Sequence, residues 1–197
     1  SRMAITPHPT AERIHQVARR LFVKRSYSDV TMDEIAVKAQ ITKGALYHHF
    51  KSKEALYLAM MEADLSEKQV LFNKAVTTGG SAQQRLEILT RTFLDLSVEK
   101  KRISGLIRRD INTISLKART RLLQMYQEAL PSQVQSIIEE GIAEGEIRPV
   151  DARLLSFSFI SLVEHTISQH GTRTLKEDDK KIQFVIGLLF NGIAAKK

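Results

Sequence analysis

With 197 residues, 43% of them hydrophobic and 26% charged, the chain is long enough to bury a substantial core without crosslinks, and its composition excludes a disordered polyelectrolyte. The absence of cysteine removes disulfide frameworks, thiolate metal sites and thiol redox sensing at once. The formal charge of +8 is unevenly placed: residues 1–55 hold 10 Lys and Arg against 5 Asp and Glu, and the remainder 20 against 17, so a polyanionic partner is favoured at the N-terminal end.

Helical periodicity runs through almost every segment and sustained two-residue alternation is missing, so the expected class is all-α with about nine helices. The first spans about Thr10 to Lys24, with Ile14, Val17, Ala18, Leu21 and Phe22 on one face and Arg13, Arg19 and Arg20 elsewhere. Thr31-Met32-Asp33-Glu34 has the form of a capping box and opens a second helix with Ile35, Ala36 and Ala39 inward. Thr42 offers the N-cap of a third helix of barely two turns, in which Leu46 and Phe50 stand at core spacing, and Ser52 caps the next. Caps this closely spaced mean short helices packed at steep angles.

From Ser52 the pattern continues to about Thr77, where Gly79-Gly80 ends it, giving a rod roughly 39 Å long at 1.5 Å per residue. Ser81 with Gln84 forms a capping box for a fifth helix faced by Leu86, Leu89, Phe93 and Leu96. Between Arg102 and Gly145 the pattern predicts a short helix, a break near Asn112 to Ser115, and a longer helix kinked at Pro131. Asp151 caps an eighth helix, and Thr174 with Glu177 caps a ninth that runs to about Ala195.

The last two helices carry apolar residues on more than one side. Ile182, Ile186, Leu189 and Ile193 line one face of the ninth, with Phe184 and Leu188 near the other. One core does not cover both, which predicts a four-helix contact with a second copy through Ser158, Ser161, His165, Phe184, Gly187, Leu188 and Asn191. Burial within one chain is the alternative.

Two short helices joined by a tight turn, the second narrow enough for a major groove about 12 Å wide, are what a helical DNA reader needs. Thr31-Met32-Asp33-Glu34-Ile35-Ala36, followed by Ile41-Thr42-Lys43-Gly44-Ala45-Leu46-Tyr47-His48-His49-Phe50-Lys51-Ser52-Lys53-Glu54-Ala55-Leu56, resembles the signature of the TetR family over about residues 10 to 57. The resemblance implies a helix-turn-helix domain at residues 1–51 and an effector-binding and dimerisation domain at 52–197. It further implies that Thr31, Thr42, Tyr47, His48 and Lys53 touch phosphate or sugar of double-stranded operator DNA. Lys43, Gly44 and Ala45 would lie nearest the bases. Two positions depart from the family pattern, Gln40 and Ser26, each standing where glycine is common. If either needs positive φ, the non-glycine residue costs about 1 kcal/mol.

Family likeness also implies an effector pocket among the fourth to eighth helices, for which Met60, Phe93, Leu96, Asp110, Tyr126, Phe159 and Leu162 are candidate linings. For the aliphatic ones a plain core is the stronger reading, and only Asp110 and Tyr126 would be sharp clues to a pocket. An apolar or amphipathic small molecule is the expected effector, and a homodimer releasing a pseudopalindromic operator as the long fourth helix swings is the implied mechanism. A constitutive architectural DNA protein and a helical enzyme are the rival readings. Against an enzyme, no nucleophile motif or phosphate-cradling loop is found and no cofactor is expected. His48 and His49 are adjacent on a helix, and His165 and His170 five apart, so neither pair shares a face for a metal.

The longest apolar stretches, Val185 to Phe190 and the Ser-interrupted Phe157 to Val163, are well under the roughly 20 residues of a membrane span. Ser1 to Pro9 lacks the apolar core of a signal peptide, Ser1-Arg2 ahead of Met3 reads as a cloning remnant, and cytoplasm is the expected compartment.

Overall fold

A computed structural model of the protein describes residues 9–192, and the regular elements among them are helical. α1 (Pro9–Lys24) is followed by a 3₁₀ turn (Tyr27–Asp29), then α2 (Met32–Lys38), α3 (Lys43–His49), α4 (Lys53–Thr77) and α5 (Ala82–Leu94). α6 (Val98–Asp110), α7 (Leu116–Ala129), α8 (Pro131–Ala143), α9 (Ala152–Thr166), α10 (Gln169–Thr174) and α11 (Asp178–Asn191) complete the order. The all-α class is as expected; Ile193 and a helix end at Ala195 lie outside the described residues.

Local capping chemistry sets most helix starts. The side-chain oxygens of Thr31, Thr42, Ser52 and Asp151 accept the amides of Glu34, Ala45, Ala55 and Leu154, each satisfying a donor that the first turn leaves without a helical partner. Ser81 and Gln84 close a full capping box. At Thr31 the box is half made, because the Glu34 carboxylate turns to the Arg25 guanidinium at 3.0 and 2.7 Å.

Three expectations are corrected. Pro131 starts a helix and does not kink one: Leu130 leaves the helical region at φ −134°, ψ −60°, and a proline with no amide to donate fits the first position of α8. Thr174 ends α10 and caps nothing, and α11 begins after Glu177 without a side-chain cap. α10 was not anticipated. Its polar run has no apolar period, and it is seated instead by Ser168, which caps it, and by Gly171, where a Cβ would stand 2.3 Å from the His165 carbonyl oxygen.

Packing divides the chain into two compact units, residues up to Leu65 with Ser97–Met125, and Ser66–Leu96 with residues from Tyr126 onward. In the first, α1 lies on α6 and α2, and α2 lies on α3. Ile14, Ala18, Phe22, Ile35, Leu46, Leu56, Tyr57, Met60, Ile103 and Ile107 are buried there. Phe22 meets Tyr57 edge-on at 5.1 Å and stacks on Tyr27 at 5.9 Å. α6 joins the N-terminal helices in this unit.

The second unit is built on Phe72, Leu86, Leu89, Phe93, Val134, Ile138, Phe159, Val185 and Ile186. α8 packs on α9, and α5 on both α8 and α11. Arg85, nearly buried, donates to the Ala75 and Val76 carbonyls at the end of α4 and pairs with Glu140, so a guanidinium closes the C-terminal end of that helix.

Candidate nucleic-acid interface

The surface begins with the turn between α2 and α3. Gln40 takes φ 55°, its amide donates to the Val37 carbonyl and the Ile41 amide to that of Ala36. That pair of bonds is a Schellman ending, a place glycine usually fills, as Gly145 does after α8 with φ 78°. Ser26 is different: with φ −61°, ψ 156° it is ordinary extended backbone and carries no strain.

α3 turns Leu46 into the core and half-buries Phe50 against the His15 ring at 5.3 Å. Thr42, Lys43, Gly44, Tyr47 and His48 are exposed and Ala45 is half-buried. A Cβ on Gly44 would find nothing nearer than the Thr42 Oγ1 at 4.0 Å, so this edge of the helix faces open space. Thr31 is exposed beside the start of α2.

Lys43 and Lys53 of the motif are not loose cations. Lys43 Nζ stands 2.8 Å from Asp33 Oδ1, and that hydrogen bond, followed by the charge of Asp33, raises the Lys43 pKa. Lys53 Nζ donates to the Tyr27 carbonyl at 2.9 Å and sits 4.2 Å above the Tyr27 ring centroid. An ammonium has three donors, so Lys53 retains hydrogen-bonding capacity beyond this contact.

Behind the motif, α6 holds the end of α1. Arg109 donates to the Phe22 and Arg25 carbonyls at 2.6 and 2.9 Å and forks onto both oxygens of Asp110 at 2.9 and 2.8 Å. Asp110 also accepts the Tyr27 amide and the Tyr57 hydroxyl, both at 3.3 Å. Burial first, then the Asp110 charge, pushes the Tyr57 phenol well above its ordinary pKa, so it serves as a neutral donor. Asp110, expected as a pocket lining, therefore spends both oxygens within the first unit, where Met60 is also buried.

In the second unit Phe93 and Phe159 come together with Leu89, Leu130, Ile160, Val163 and Glu164 around a narrow apolar cleft of about 10 Å³, room for roughly one water. Leu96 and Leu162 pack against the same core and Tyr126 is half-buried. Of the positions expected to meet a second copy, Ser158, Ser161, His165 and Asn191 are exposed, Phe184 is 50% exposed, and Gly187 and Leu188 are half-buried. Among the described residues no group of three His, Asp or Glu could hold a metal ion, and no helix is long and apolar enough to cross a membrane.

A family profile described as bacterial regulatory proteins, tetR family, matches residues 14–60, and one described as Tetracyclin repressor-like, C-terminal domain, matches residues 79–168. The Transposon Tn10 TetC protein of Escherichia coli is 30% identical over 170 residues, covering 85% of this chain and 83% of its own length.

The chain belongs to the TetR family.

As a TetR-family member it is a DNA-binding transcription regulator, and the relatives it matches are regulators of this kind, not enzymes. Solved structures of transcription regulators share its fold: FadR from Bacillus subtilis, in complex with stearoyl-CoA, has a TM-score of 0.78 at 19% identity, covering 93% of this chain and 99% of its own. AibR, in complex with isovaleryl coenzyme A and operator DNA, has a TM-score of 0.78 at 23% identity, covering 92% and 98%.

The spacing of Leu46 and Phe50 made the inward side of the α3 segment legible in the sequence, and with it the exposed edge. It did not disclose the pairing of Arg25 with Glu34, of Lys43 with Asp33, or the Arg109–Asp110 clasp. The first two join residues nine and ten positions apart across a turn, and the clasp reaches 87 positions to Phe22, so no helical spacing signals them.

Proposed function

We propose that the chain is a ligand-released repressor that binds a pseudopalindromic operator as a homodimer in the cytoplasm. The observation that carries this reading is the α3 segment, where Leu46 is buried and Phe50 half-buried against its own chain while Thr42, Lys43, Gly44, Tyr47 and His48 are exposed. Lys43, Gly44 and Ala45 then meet base edges in the major groove, while Thr31, Thr42, Tyr47, His48 and Lys53 meet phosphate or sugar. Two copies related by a two-fold axis would set their α3 helices about 34 Å apart, one turn of duplex, which makes the operator pseudopalindromic. The half-exposed Phe184 with Leu188 and Gly187, beside Ser158, Ser161, His165 and Asn191, is the face assigned to that pairing.

The effector is an apolar or amphipathic molecule, and binding it would require the narrow Phe93 and Phe159 cleft to open, with Leu96, Leu162 and Tyr126 adjoining. Acyl-CoA thioesters are the first class to test, since FadR and AibR were each solved with one. Release would come through a displacement of the long α4 helix. An effector preferring the non-binding state a hundredfold would shift the balance by about 2.7 kcal/mol.

Selection from a pool of random duplexes, followed by mobility shifts on the enriched sequence, tests both halves. The expected result is an enriched inverted repeat whose complex dissociates on addition of isovaleryl- or stearoyl-CoA or another amphiphile. Retention of all duplexes alike would favour the architectural reading.

A further inference from the structure

Lys43 is the first residue of α3, and its ammonium lies 2.8 Å from a carboxylate in the first turn of α2. Both partners are about two-thirds exposed, at 62% and 67%, so neither is driven together by burial. Their backbone positions are set by the Thr31 cap, the Schellman turn at Gln40 and the Thr42 cap. An acid at the leading edge of a basic DNA-reading surface works against affinity, because attraction to phosphate is the sequence-independent part of binding.

We propose that Asp33 is a specificity-determining residue that acts through Lys43, and this rests on the DNA-reading assignment of α3. One Lys43 N–H goes to Asp33, leaving two donors, the number of acceptors that guanine presents at O6 and N7. A phosphate oxygen taking the same donors would lie beside the Asp33 carboxylate and be repelled by it. Asp33 thereby subtracts from binding to arbitrary duplex more than from binding to the operator, and it aims Lys43 at base edges instead of the backbone.

The test compares wild type, Asp33→Asn, Lys43→Gln and the double variant on the selected operator and on a scrambled duplex, across a salt series, after thermal melts confirm folding. Asp33→Asn is expected to tighten scrambled-duplex binding threefold to tenfold and to steepen the slope of log K against log salt by about one per subunit. The operator-to-scrambled ratio should fall at least threefold, and in the Lys43→Gln background these effects should vanish. If Asp33→Asn does not fold, Asp33→Ser takes its place.

Unchanged scrambled-duplex affinity and slope overturn the proposal. So does an equal gain with and without Lys43, which would make Asp33 a bulk charge only. A wild type that prefers no duplex would instead remove the DNA-reading assignment itself.

Discussion

At Gln40 the chain sets a side chain with a Cβ where φ is 55°. Left-handed backbone costs an L-residue about 1–2 kcal/mol, and glycine would relieve it while adding about 0.4–1 kcal/mol of unfolded-state entropy. Gln40→Gly should therefore stabilise the protein by about 0.5–1 kcal/mol in chemical denaturation. His15 shows the opposite kind of constraint: it is half-buried and its Nε2 has no hydrogen-bond partner. Desolvation lowers its pKa below the ordinary 6.5, Arg19 adding to the effect and Glu12 opposing it. The unfolded chain then takes up a proton at a higher pH than the folded one. The stability tied to neutral His15 is present above about pH 6.5 and is lost as pH falls through the depressed folded value. Wild type should lose stability between about pH 7 and 5.5, and His15→Gln should lose less over the same window.

Among the elements, those opened by a side-chain cap ahead of an apolar period were legible and those held by main-chain oxygens were not. The caps at Thr31, Thr42, Ser52, Ser81 and Asp151 act over three residues, so their spacing alone marks the starts of five helices. α10 is seated by the approach of Gly171 to the His165 and Thr166 carbonyls, and a carbonyl leaves no trace in residue identity. The same applies to the α6 clasp, where Arg109 takes two main-chain oxygens from the end of α1. Asp110 belongs to the same clasp, and it accepts from Tyr27 and Tyr57, which lie 83 and 53 positions away. Asp110→Asn keeps the shape but removes the charge from a residue that is 1% exposed, leaving Arg109 with a neutral partner. Because Arg109 itself is partly exposed, the expected loss is about 2 kcal/mol, below the range for a fully buried pair, measured as a lower denaturation midpoint.

For the molecule as a whole, operator binding as proposed needs two copies and an open edge on α3. Phe184 is half-exposed on α11, and a charge there would oppose pairing through that face. Phe184→Glu should sediment as a folded monomer at concentrations where wild type is a dimer, and should lose most operator affinity because a single head binds one half-site. Gly44 joins the fold to the function most directly. It lies in the first turn of α3 with open space where a side chain would go, so leucine there should leave stability unchanged or raise it by up to about 1 kcal/mol. The decisive measurement is operator affinity of Gly44→Leu beside its thermal midpoint. A loss of tenfold or more with an undiminished midpoint is predicted, because the added side chain occupies the space that base edges need. Full operator affinity in this variant would contradict the claim that α3 reads DNA through that edge.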